Sequence, residues 1–175
     1  MPVENEIKYA LRDPDGALER ALAAMGPPVT RNAVRQAYLD APGLRIRRFE
    51  GERGVEHVFS FKRAIGGEMV EVETSMDAAD FERLWTLRQE SLEKVRFHLP
   101  AGECGWDVDF FKDGGATYFA LAEVEMPVDR IAPPEPPAFL QPFIAFAVAP
   151  GDGRFTSRKL ADVGHARGLV AEYGL

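Results

Sequence analysis

Along most of this chain apolar and charged residues take turns. In the opening stretch MPVENEIKYAL, Glu4, Glu6 and Lys8 occupy one set of alternate positions, and Val3, Ile7 and Tyr9 the other. Successive side chains of a strand point to opposite faces, so this period reads as a strand with one charged and one apolar face. The same alternation predicts strands near 2–10, 33–39, 43–50, 56–64, 68–75, 91–99, 105–112, 117–126 and 143–149. Short glycine-bearing links such as APG, GERG and IGG join several of them, which predicts hairpins and an antiparallel sheet. Three segments follow a helical period instead. DPDGALERALAAMG spaces Leu18, Leu22 and Met25 along one face and stops at a glycine. MDAADFERLWTLRQ offers Asp77 as N-cap and an apolar stripe of Phe81, Leu84, Trp85 and Leu87. The third is the tail, 156–175, with a weaker pattern interrupted by Gly164 and Gly168. Strands with a few helices predict an α+β fold.

The charges are sorted by sign within each strand. Arg45 and Arg47 alternate with Leu44 and Ile46; Lys62 opposes Phe59 and Phe61; Glu71 and Glu73 alternate with Val70 and Val72. Lys94 and Arg96, Asp107 and Asp109, and Glu123 and Glu125 repeat the arrangement. Residues two apart on a strand are separated by about 6.6 Å, so like charges repel unless something neutralises them. A single pair of this kind is the wet face of an ordinary sheet. Repetition over strand after strand predicts a sheet turned inside out: a barrel with a charged lumen and helices over its apolar outer face. Crowded carboxylates without histidine or cysteine suit hard divalent cations, Mg²⁺ or Mn²⁺ before Zn²⁺. Arginines and lysines in the same space suit phosphoryl oxygens. Together they predict a site for a metal and a polyphosphate.

Composition narrows the alternatives. The 175 residues suit one domain, 1–175, with the proline-rich APPEPPAF at 132–139 as a stiff connector. A net charge of −7 argues against a nucleic-acid partner while leaving room for a local basic pocket. No apolar run approaches the roughly 20 residues that span a bilayer, so no membrane partner is expected. A single cysteine, Cys104, and an opening without a basic-then-apolar order lead to the expectation of a cytoplasmic protein. His57, His98 and His165 lack metal-ligand spacing, and no phosphate-binding Gly-x-x-x-x-Gly-Lys loop is present.

The ordered segments ENEIK, RQAYL, RIR, FSFK, VEVE, EKVR, WDVD, LAEVE and RFTSRKLA resemble the CYTH domain, the fold of the triphosphate tunnel metalloenzymes, from Glu4 to about Ala161. The resemblance implies a closed eight-stranded antiparallel tunnel, open at both ends, that holds a small-molecule triphosphate and Mg²⁺ or Mn²⁺. On that basis Glu4 and Glu6 would hold the metal or order its water, and Glu123 and Glu125 would form the second acidic set. Glu71, Glu73, Asp107 and Asp109 would complete the acidic lining. Lys8, Arg45, Arg47, Lys62 and Arg96 would cradle phosphates, and Lys94 would bind phosphate and help activate the attacking water.

One departure stands out. Where related short bacterial members carry Glu-Val-Thr before the closing segment, this chain reads FAVAPGDG, with Ala147 or a neighbour in place of the glutamate. Asp152 could replace it only on a loop bent inward. The implied activity is metal-dependent hydrolysis of inorganic tripolyphosphate by a monomer or homodimer. Alternatives are hydrolysis of thiamine triphosphate or a nucleotide, cyclisation of ATP, and polyphosphate binding without catalysis.

Overall fold

The computed structural model describes residues 5–175. Its centre is a nine-stranded antiparallel sheet in the order β5-β4-β3-β2-β6-β7-β8-β1-β9. The strands are β1 (Glu6–Leu11), β2 (Thr30–Leu39), β3 (Leu44–Gly51), β4 (Gly54–Ile65), β5 (Glu68–Ser75), β6 (Arg88–Ala101), β7 (Cys104–Asp113), β8 (Ala116–Glu125) and β9 (Ile144–Ala147). Helices α1 (Ala17–Ala23), α2 (Ala78–Trp85), α3 (Ser157–Leu160) and α4 (Val163–Tyr173) complete the fold. Glu4 lies outside the described residues.

The α+β antiparallel architecture is the expected one, with two differences. The ladder has nine strands rather than eight, because four residues after the proline-rich connector return beside Tyr9–Leu11 as β9. Among the described residues no backbone pairing joins the edge strands β5 and β9. The sheet nevertheless curls on itself: the Lys62 ammonium of β4 comes within 3.7 Å of Glu6 on β1, from near the opposite edge.

Apolar packing explains the curl. On the outer face of β1, β6, β7 and β8, residues such as Phe97, Trp106, Val108, Phe110 and Val124 are buried beneath Leu18 and Leu22 of α1 and Leu140 just after the connector. The Asp13 carboxylate accepts from the Leu18 and Glu19 amides and so starts α1, which no cap hydrogen bond from Gly16 does. Outside β2 and β3, Phe81 of α2 packs on Ala37, Leu39 and Ile46. Asp77 sits at the α2 N-cap position, but its side chain makes no cap hydrogen bond.

A third apolar group changes the expected tunnel. Leu92, Phe111, Phe119, Leu121 and Ala10 share the strand faces of Lys94, Asp109, Glu123 and Lys8, so they point inward. They are buried with Phe155, Leu160, Ala166 and Leu169 from the C-terminal segment. The charged lumen therefore turns apolar toward one end, where α3 and α4 stop it. The expectation of two open mouths fails there, because burying these inward rings stabilises the closed end by hydrophobic transfer.

Candidate active site: a charged cavity inside the curled sheet

Cross-strand register assembles the site. Lys8 on β1 stands opposite Glu123 on β8, and Glu6 stands opposite Glu125. Across β7 and β6, Glu123 faces Asp107, and Asp109 faces Arg96. Arg47 and Arg45 on β3 face Gln36 and Tyr38 on β2. Lys62 on β4 faces Glu71 on β5. The turn before β3 fixes the Lys62 backbone: its amide donates to the Gly43 carbonyl at 2.9 Å. Gly43 has φ +86, and an added Cβ would lie 2.7 Å from the Lys62 carbonyl oxygen, so only glycine suits this turn.

The cavity inside the curled sheet measures about 410 Å³ and is open to solvent. Its basic lining includes Lys8, Arg45, Arg47, Lys62, Lys94 and Arg96, which unites all of the expected phosphate-binding residues, and adds Arg63 and Arg158. Its acidic lining is Glu6, Glu71, Glu123 and Glu125. Asp107, Asp109 and Glu73 do not face it directly. Instead they pair with the cations. Asp109 is fully buried and accepts from Lys94 Nζ at 2.6 Å and from Arg96 Nε and Nη2 at 2.7 Å each. Asp107 accepts from Arg96 Nη1 at 2.6 Å and pairs with His98 Nδ1 at 2.7 Å. Glu73 is paired with Arg47, and Glu71 with Arg45.

Charge states follow from this packing. Burial, reinforced by Arg96, lowers the Lys94 ammonium to about 8, against the pull of Asp109 and Glu123. Lys94 stands where the lumen changes from charged to apolar, with its ammonium 5.4 Å from the centre of the Phe111 ring. Burial lowers Arg47 to about 9, helped by Arg45 and Arg96. The buried Nε of Arg47 has no hydrogen-bond partner among the described residues. Burial disfavours charge on Lys8 and Arg96 also, but their carboxylate neighbours outweigh it and raise both above their ordinary values. Burial alone would raise Glu123, yet Lys8, Arg96 and Lys94 hold it well below the usual carboxylate range. Glu125 behaves oppositely: burial and then Asp107 push its carboxyl up, with Glu6 and Glu123 adding to the repulsion.

That last feature is the local test of a metal site. Directly opposed acids such as Glu6 and Glu125 destabilise a sheet unless cations offset them. Glu6 is paired with Lys8 and lies 3.7 Å from Lys62, while burial and acidic neighbours push the Glu125 carboxyl up. Among the described residues, no three Asp, Glu, His or Cys side chains gather closely enough to enclose a metal ion by themselves. Mg²⁺ needs no such cage, since it commonly takes one or two carboxylates, water and substrate phosphates. The oxygen donors of Glu6 and Glu125 fit it.

Sequence reasoning missed several lining groups. Tyr38, Thr156, Ser157 and Arg158 all face the cavity. Gln36 is buried and donates to the Tyr38 hydroxyl at 2.6 Å. Gln36 and Tyr38 share the inward period of β2, so RQAYL carried the signal. Nothing in the periodicity marks Thr156–Arg158, which reach the lumen through tertiary packing. No carboxylate enters from β9 among the described residues. Ala147 is exposed opposite Tyr9, and Val148 joins the apolar stop. Asp152 turns instead to Arg154, accepting at 2.8 Å from Nη2 and leaving no inward substitute for the missing glutamate.

Known structures share this architecture. The inorganic triphosphatase NE1496 is 23% identical, aligns over 92% of this chain and 95% of its own, and gives a TM-score of 0.50. Protein PH1819 of Pyrococcus horikoshii is 15% identical over 98% of this chain and 90% of its own, with a TM-score of 0.53. A conserved protein of Pyrococcus furiosus is 14% identical over 98% and 91%, with a TM-score of 0.50. No protein-family model and no curated protein matches the chain. The likeness in fold agrees with the CYTH tunnel architecture that the sequence motifs resemble.

Proposed function

We propose that this protein hydrolyses inorganic tripolyphosphate with the help of Mg²⁺ or Mn²⁺. The observation that carries the reading is the convergence of Lys8, Arg45, Arg47, Lys62, Lys94 and Arg96 on one cavity beside a set of glutamates. Arginines grip phosphoryl oxygens through forked hydrogen bonds, and lysines act as point charges. The unpartnered Nε of Arg47 supports an anionic guest, because a buried donor without an acceptor is costly. The named activity of NE1496 supports the same class of substrate on the same fold.

The cations would hold the phosphate chain and stabilise the charge that develops as a terminal phosphoryl group leaves. Asp107 and Asp109 act as positioning residues, fixing Lys94 and Arg96 so that little reorganisation accompanies the reaction. Glu6 and Glu125, with Glu4 as expected from sequence, would hold the divalent ion, which neutralises phosphate charge and polarises the phosphoryl group. Lys94, with its ammonium lowered to about 8, supplies some neutral amine near neutral pH and can take the proton of attacking water. The protein is expected to act as a monomer or homodimer in the cytoplasm.

Phosphate release from tripolyphosphate with Mg²⁺ or Mn²⁺ tests this reading, with Glu6→Gln and Lys94→Ala beside the unaltered protein. The reading expects metal-stimulated turnover that falls at least 100-fold in both variants. Absent turnover, or turnover unchanged in both, would refute it. Hydrolysis of an organic triphosphate is the second reading, favoured by Ala64, Met69 and Tyr38 on the cavity wall. Side-by-side kinetics with thiamine triphosphate and ATP separates the two.

A further inference from the structure

One side chain belongs to two cavities. Arg158 lines the charged lumen and also a second hollow of about 400 Å³. Its Nη2 donates to the Glu90 carboxylate at 2.9 and 3.2 Å, and its guanidinium carbon lies 5.5 Å from the centre of the Tyr38 ring. Both partners of the ion pair are roughly half exposed, at 44% and 43%. The outer hollow adds Lys159, His165 and Ser91 to its lining, balanced by Glu90 and Asp162. Asp162 is already engaged as the cap of α4 through the His165 amide.

Arg158 is thus shared between the lumen and an outer hollow that also carries Lys159. The end of the lumen is stopped by apolar packing of α3 and α4, but Arg158 stands beside that stop with a cation-bearing hollow beyond it. We propose that Arg158 is a specificity-determining residue, which takes a further phosphate of a chain longer than three as it leaves the lumen past Tyr38. The inference rests on the reading of the cavity as a polyphosphate site. An exposed Arg–Glu pair is weak and screened by salt, so Arg158 exchanges Glu90 for a phosphate at little cost. Arginine is suited to that exchange, because its fork pairs carboxylate and phosphate alike. Glu90 sets the selectivity by competing for the same guanidinium.

Calorimetric binding and steady-state hydrolysis of tripolyphosphate, tetrapolyphosphate and ATP test this in the intact protein and in Arg158→Gln and Glu90→Gln. The expected readout is a ratio: Arg158→Gln weakens tetrapolyphosphate relative to tripolyphosphate about 10-fold, and Glu90→Gln shifts the ratio about 3-fold the other way. ATP, whose adenosyl group adds no charge beyond its triphosphate, follows tripolyphosphate. Equal effects on all three ligands, no effect on any, or ATP tracking tetrapolyphosphate would each overturn the inference. Length-dependent binding with no hydrolysis would leave the inference standing and refute the proposed hydrolase. Hydrolysis with an unchanged ratio would do the reverse.

Discussion

Asp109→Asn should weaken the fold far more than loss of any exposed ion pair. The carboxylate is buried between Lys94 and Arg96 and accepts three charge-assisted hydrogen bonds of 2.6 to 2.7 Å. The amide has nearly the same shape, but one carboxylate oxygen becomes a donor aimed at a cation. Breaking a buried pair on one side typically costs about 3–5 kcal/mol, because the remaining charge stays buried and uncompensated. With a urea slope of about 2 kcal/mol per molar, the midpoint should fall by roughly 1.5–2.5 M. Urea unfolding at pH 7 without phosphate or metal measures it, and the loss should persist in 1 M salt, since buried pairs are poorly screened. Glu50→Gln is the control: its pair with Arg48 is exposed, and its loss should cost less than about 1 kcal/mol. The double variant Lys94→Met with Asp109→Asn should lose less than the sum of its parts. A midpoint shift no greater than that of the control would refute the argument that Asp109 is the buried counterion.

Other outcomes follow from the same structure. Glu125→Gln should slightly stabilise the metal-free protein at neutral pH while reducing Mg²⁺ stimulation, since desolvation and then Asp107 raise its carboxyl. Equal or lower metal-free stability would contradict that. The hydrolysis rate should climb as pH passes about 8, as Lys94 loses its proton, and Lys94→Met should remove that limb. A limb retained by the variant would restrict Lys94 to an electrostatic role. Burial and Asp113 raise Tyr118 from 10.0 to about 12, and its hydroxyl donates to the Leu160 carbonyl at 2.8 Å. Between those values the unfolded chain loses the proton first, so stability should fall with rising pH, and Tyr118→Phe should flatten the fall.

The strands were legible because sign-sorted alternation is a strong local signal. Seven charged segments lie on strands in the expected order, and many of their apolar partners pack outward beneath α1 and α2, although Val72 of β5 is left exposed. Depth was not legible. Period two assigns Asp107, Asp109, Glu123 and Glu125 to one face, but register decides that the aspartates pair with Arg96 while the glutamates meet the cavity. The same face continues into Phe111, Phe119 and Leu121, where the pattern no longer alternates in polarity and the stop forms. Arg158 escaped notice because it reaches the lumen from a short helix far along the chain. Alternation says which way a side chain points, not what the chain later brings against it.

The central claim is that these inward-facing charges form one phosphate site. A crystal structure soaked with tripolyphosphate and Mn²⁺ tests it most directly. The account predicts phosphate density among Arg45, Arg47, Lys62 and Arg96, with the metal beside Glu6 and Glu125. Saturating ligand found only on the outer surface, with the lumen still holding its ion pairs, would contradict it.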